Sequence, residues 1–184
     1  MFQIAAAVSF LLFLVGDLND AFWHRRFLKP AFLMGAALLT AATLAAIVKA
    51  PPAFRPGRIP FLAGAVLFGA LLVWALFFSF PPKQAYMEQS RERRVYDGGM
   101  YALCRHPGVL WLCLLYGCLI PGAGFPPFSA FFCCLLDLLL GWAEDRWIFP
   151  RLFTDYDDYK QRVPFLIPTA ASLRDWIHPR GKKP

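Results

Sequence analysis

The run "FLAGAVLFGALLVWALFFSF" fills residues 61–80 without a single charged side chain. A helix of about 20 apolar residues covers the roughly 30 Å hydrocarbon core of a bilayer, so this stretch reads as a membrane span. Residues 31–50, "AFLMGAALLTAATLAAIVKA", read the same way, with Lys49 at the far end. Residues 2–16, "FQIAAAVSFLLFLVG", are shorter but extend through Leu18 toward Phe22 and Trp23. No basic residue precedes this run and no small-x-small cleavage site follows it, so it reads as a retained helix. Two more apolar segments occupy residues 108–120 and 128–142, joined by "PGAGFPP". That connection is too short for anything but a tight turn, so the two form an antiparallel hairpin.

The expected fold is therefore all-α: a polytopic membrane protein with about five transmembrane helices and a cytoplasmic C-terminal segment. Composition agrees. The chain has 184 residues, 58% of them hydrophobic and 17% charged. A soluble domain of this size does not carry so much apolar surface. One domain covers residues 1–184, with 1–80 as scaffold and 96–168 carrying the chemistry. In the scaffold, Gly64, Ala65, Gly69 and Ala70 let helix backbones approach closely in lipid.

The net charge of +7 points to a membrane surface rather than nucleic acid, because the cations lie between and after apolar runs. With five spans, sixteen of the nineteen Lys and Arg residues fall on one side. These follow the first span (Arg25, Arg26, Lys29), the third (Lys83, Arg91, Arg93, Arg94, Arg105) and the fifth (from Arg146 to Lys183). Lys49, Arg55 and Arg58 fall on the other. The positive-inside rule then places the N-terminus outside and the tail in the cytoplasm, in a plasma membrane.

Cys104, Cys113, Cys118, Cys133 and Cys134 form no C-x-x-C pair and read as membrane-embedded structural thiols. His24, His106 and His178 lack ligand spacing, so no metal is expected. There is no G-x-S-x-G, Walker or Rossmann pattern, and the spans exclude soluble methyltransferase and dehydrogenase folds.

Polar residues concentrate in "YDGGMYALCRHP" (96–107) and "EDRWIFPRLFTDYDDYKQRVPFLIP" (144–168). A hairpin returns its ends to one membrane face, so Arg105 and His106 should meet Glu144 and Asp145. Arg105 offers a planar fork for a carboxylate or phosphate, and His106 donates or accepts near neutral pH. The two acids accept from an ammonium or ribose hydroxyls, and Gly98 and Gly99 allow close backbone approach. This set suits a zwitterionic, nucleoside-bearing ligand. Asp137 lies two helical turns before Glu144 on the same face. An intramembrane carboxylate usually faces a cavity or a partner, so Asp137 is expected to line a cavity below the cluster.

"GMYALCRHPGVLW" followed by "ED" and "YDDYKQRVPFLIP" resembles the isoprenylcysteine carboxyl methyltransferase family, which is related to the membrane phospholipid methyltransferases. The resemblance covers residues 96–168. It implies an integral enzyme that uses S-adenosyl-L-methionine. It implies cofactor contacts from Gly99, Tyr101, Arg105, His106 and Pro107 on one side and Glu144 and Asp145 on the other, with Tyr156 and Tyr159 closing over. Arg105 and Glu144 would be the catalytic pair. Val109, Trp111 and Thr154 depart from the family's pattern, and Trp111 would narrow a lipid-facing entrance to the substrate cavity. The implied partner is a lipid-like or small amphiphilic acceptor, its methylated group a carboxylate, an amine or a thiol. Two other classes compete. An NADPH-dependent membrane reductase of the sterol reductase type needs several cations for its phosphates. A non-catalytic membrane module needs only internal salt bridges and no pocket.

Overall fold

The computed structural model describes residues 1–50, 56–78 and 93–177. Of the positions used above, residues 79–80 and Arg55, Lys83, Arg91, His178, Arg180, Lys182 and Lys183 lie outside the described residues. The described chain folds into helices alone: α1 (Phe2–Leu18), α2 (Ala31–Val48), α3 (Ile59–Val73), α4 (Pro107–Ala123), α5 (Pro127–Ala143), and the shorter α6 (Phe149–Leu152), α7 (Tyr156–Arg162) and α8 (Ala170–Ile177).

Prolines begin three of the long helices, since Pro60, Pro107 and Pro127 occupy first-turn positions where a missing N–H costs nothing. Single π-helical turns continue α1, α3 and α5: Asn19–Trp23, Trp74–Phe78 and Glu144–Ile148. With these extensions, four helices are long and apolar enough to cross a membrane: Phe2–Trp23, Arg26–Val48, Ile59–Phe78 and Pro127–Leu152. The fourth helix in chain order, α4, has 17 residues. At 1.5 Å per residue it is about 25 Å long, less than a full bilayer core.

The expected "PGAGFPP" turn is tighter than the sequence suggested. Pro121 and Gly122 belong to the last turn of α4, which ends on Gly124 in the left-handed region at φ 71°. Helix is favoured there because Gly122 sits directly against α3. A Cβ on it would lie 3.3 Å from backbone atoms of Phe61 and Leu62.

Gly122 meets the start of α3 and Gly108 meets Leu76 near its end, so α3 and α4 are antiparallel. Gly64 admits the Cys118 thiol between them. α1 and α2 are also antiparallel, with Gly35 so close that a Cβ would fall 2.8 Å from the Ser9 carbonyl oxygen. α1 and α5 run parallel. Gln3 Nε2 donates to Ser129 Oγ at one end (3.1 Å), and Asp17 approaches Glu144 at the other. The core is built from Phe10, Leu39, Leu112, Tyr116, Leu119, Phe125 and Cys133. Outward faces are apolar as well: Val66, Leu67, Phe131 and Leu139 are exposed. Such a surface suits lipid rather than water. Half-exposed Trp23, Trp74, Trp142, Trp147 and Trp176 all belong to the end of the bundle that carries His106. Tryptophan favours that depth at a membrane interface.

Candidate functional site

The backbone joins the two polar stretches directly. The Arg105 and His106 amides donate to the Pro164 and Phe165 carbonyls at 2.9 and 3.2 Å. The Thr154 amide donates to Arg93 (3.0 Å), and the Val95 amide donates to Asp155 Oδ1 (2.8 Å). The segment after α5 therefore lies alongside residues 93–106 as a strap over the end of the bundle.

Arg105 is consumed inside the protein. Its Nε and Nη2 donate to both carboxylate oxygens of Asp145 (2.7 and 3.3 Å). Its Nη1 donates to the Lys160 and Val163 carbonyls (2.9 and 2.7 Å). Asp145 also accepts from the Tyr156 hydroxyl (2.7 Å) and pairs with Lys160 Nζ (3.0 Å). The side chains of Arg105 and Asp145 are each only 9% exposed. The arrangement braces α5, the arginine and α7 against one another. The sequence gives reason to expect Arg105 and Asp145 as cofactor contacts; here one carboxylate is surrounded by three donor residues of its own chain, Arg105 still reaches the cavity wall, and Asp145 does not.

His106 and Glu144 are different. His106 Nδ1 stands 3.4 Å from Glu144 Oε2. The imidazole, 5% exposed, stacks against Phe149 and tilts onto Phe165. Gly141 makes room for it, because a Cβ there would fall 3.2 Å from His106 Nδ1 and from Val109 Cγ2. Nε2 lies 3.6 Å from Asp145, too far for a hydrogen bond, and has no hydrogen-bond partner among the described residues. Burial by itself lowers the imidazole's pKa, but contacts to Asp145 and Glu144 outweigh it and raise the net value.

Both residues line a cavity of ≈ 850 Å³, within the range of about 300–1,000 Å³ common for small-molecule sites. Its polar lining includes Asp17, Asp20, Arg93, Tyr101, Arg105, His106, Asp137 and Glu144, and its long wall is apolar, reaching Leu119 and Ala123. All three π-helical turns border this polar lining. Such turns often mark functional sites. Between α2 and α3 the wall includes Leu44, Val66 and Val73, which are exposed on the outside of the bundle.

Asp137, Pro107, Tyr156 and Tyr159 also reach this cavity. Burial raises the phenol pKa values of Tyr101, Tyr156 and Tyr159, which stay protonated. The Tyr159 hydroxyl donates to the Tyr101 carbonyl (2.7 Å), and the Tyr101 hydroxyl donates to the Ala75 carbonyl (3.2 Å). Gly99 takes φ 57°, the left-handed region open to glycine, but is not on the cavity wall. Trp111 is not on the wall either. It turns toward α3 and stacks on Phe68 at 6.1 Å, so it does not narrow the cavity. No group of metal-ligating side chains occurs among the described residues.

Two acidic wall residues, Asp17 and Asp20, escaped the sequence reading. Asp17 sits in an apolar helix as Asp137 does, and the same signal, a carboxylate within a span, was there to be read. Asp17 approaches Glu144, and its Oδ2 is buried with no hydrogen-bond partner among the described residues. Comparison with known proteins adds nothing to this geometry. No family model, no curated protein and no solved structure matches the chain.

Proposed function

We propose that this protein is an S-adenosyl-L-methionine-dependent membrane methyltransferase acting on a lipophilic or amphiphilic acceptor. The observation that carries the reading is the contact of His106 with Glu144 at the polar end of a long apolar cavity. Two further features fit the cofactor. Asp17 Oδ2 and His106 Nε2 are buried polar atoms with no hydrogen-bond partner among the described residues, and the carboxyl-rich wall suits an ammonium and a sulfonium. Glu144 and Asp17 would hold the ammonium, and His106 would take the carboxylate. Arg105 and Asp145, spent on each other, position His106 and the strap. When bound, the cofactor supplies an electrophilic methyl group. The chain's contribution is to align reactants and keep water out, which suits an in-line displacement.

The acid excess argues against the reductase alternative. Asp17, Asp20, Asp137 and Glu144 line the cavity, Arg105 is already paired, and Arg93 and His106 are the other basic residues on the wall among the described residues, a small set for the several phosphates of NADPH. The cavity itself argues against a module filled by internal salt bridges. For orientation, the cation-rich end holding His106 is assigned to the cytoplasm, α4 is counted as a fifth span, and the membrane is taken to be a plasma membrane. The test is calorimetry with S-adenosylhomocysteine and NADPH on purified protein in neutral detergent. Binding of the first and not the second is expected. Binding of neither, or of NADPH alone, rejects the proposal.

A further inference from the structure

We infer that α8 is a membrane-surface clamp: its apolar stripe lies in the headgroup layer of an anionic bilayer and holds the Gly99–Ala102 turn against the cavity. The inference stands apart from the cofactor reading. It begins with a helix whose apolar side faces out. Ala170, Leu173, Trp176 and Ile177 follow the three- and four-residue spacing that gathers side chains on one arc. On a globular core that arc is buried. In α8, Leu173 is 45%, Trp176 46% and Ile177 56% exposed, and Ile167, just before the helix, is 75% exposed. The buried residue is Ser172, at 2%, and Asp175, one turn on, is half-buried.

The protein itself fixes this direction. The Thr169 amide donates to Ser172 Oγ (2.9 Å) and the Ser172 amide donates to Thr169 Oγ1 (3.2 Å), a reciprocal cap on the first turn. Just upstream, the Pro164 and Phe165 carbonyls accept from the Arg105 and His106 amides. These bonds keep α8 at the His106 end of the bundle, where it packs against the 3₁₀ turn Gly99–Ala102. That turn carries Tyr101, which lines the cavity and donates to the Ala75 carbonyl. With Ser172 turned inward, the stripe is left outward at the same end as the half-exposed Trp142 and Trp147.

Charge says what covers it. Exposed cations at this end include Arg25, Arg26, Lys29, Arg146, Arg151 and Arg174, against the exposed acids Asp20, Asp157 and Asp158. In sequence, Arg180, Lys182 and Lys183 follow α8. A helix with aliphatic and aromatic residues on one arc and basic residues beside it seats on anionic headgroups, its apolar side at the acyl boundary. A neutral headgroup layer would cover the stripe and leave the cations without counter-charge. An anionic one satisfies both.

The test is hydrogen exchange on the full chain, one copy per nanodisc, so that a second copy cannot cover the stripe. The discs hold phosphatidylcholine alone or an equimolar mixture with phosphatidylglycerol. Exchange over residues 169–177 should be about tenfold slower in the mixture, the effect of one or two basic residues near an anionic surface. High salt should erase much of that difference. Residues 99–104 should slow in parallel. Leu173→Gln and Arg174→Gln should each shrink the difference between the two lipids severalfold. Ala171→Gln, exposed but off the stripe, should retain it, which shows that a substituted α8 still folds. Equal exchange in the two lipids overturns the inference, as does a difference that both stripe-side variants leave intact. Protection confined to residues 169–177 overturns the clamp on the turn.

Discussion

Glu144 and Asp145 are neighbours in sequence with opposite fates: Asp145 takes the Arg105 guanidinium on both oxygens at 2.7 and 3.3 Å, and Glu144 faces the cavity beside His106. The first contact holds the fold and the second is left for a ligand. The predictions below separate these roles.

Removing either partner of the buried Arg105–Asp145 pair should destabilise the protein strongly. Breaking such a pair costs about 3–5 kcal/mol, because the surviving charge stays buried. Arg105→Ala and Asp145→Asn should each lower the unfolding midpoint in micelles. The double variant should cost less than the sum of the two. Strict additivity in that cycle would mean the two residues act independently.

Substitutions at His106 and Glu144 should behave differently. His106→Ala and Glu144→Gln should weaken S-adenosylhomocysteine by tenfold or more, equivalent to about 1.4 kcal/mol, with smaller effects on the midpoint than at Asp145. Calorimetry on each variant reads this directly. Unchanged affinity in both would reject the site.

The pH dependence has a definite sign. The folded pKa of His106 is raised above its ordinary value near 6.5. Its contribution to stability is therefore complete below that ordinary value and is lost as pH rises through the folded pKa. The unfolding midpoint should fall from about pH 6.5 upward, and His106→Gln should flatten that slope. A wild-type midpoint that climbs over the same interval would contradict the contacts to Glu144 and Asp145.

Gly141→Ala tests the seat of the imidazole. The added Cβ meets His106 Nδ1 and Val109 Cγ2 at 3.2 Å, so the ring must shift by a few tenths of an ångström. Overpacking of this kind costs about 1–3 kcal/mol, and ligand affinity should fall with it. The comparison is Gly117→Ala on α4, where nothing lies within 4 Å and both stability and affinity should hold.

Orientation is open to chemical labelling. Cysteine at Arg174, beyond the strap, should react with an impermeant maleimide only after the cytoplasmic side is opened. Cysteine at Lys49 should react from outside. The native Cys104 should stay silent in both, since it is buried and burial pushes its thiol up to about 11.

Much of this protein was legible in its sequence for one reason: an apolar run of span length has few ways to satisfy its backbone except as a membrane helix. That constraint acts residue by residue and needs no partner. It placed the long helices, and the brevity of the α4–α5 turn brought His106 to Glu144. The turn's own limits were misjudged because Pro121 looks like a breaker until Gly122 packs on α3. The division of labour between charges was not local. Successive residues on a helix point about 100° apart, so Glu144 and Asp145 cannot serve the same neighbour. Which of them meets Arg105, Tyr156 and Lys160, and which meets Asp17 and His106, depends on how α1, α5 and the strap pack together. Pairing energy belongs to groups brought close in space, and only the tertiary structure decided which groups those are.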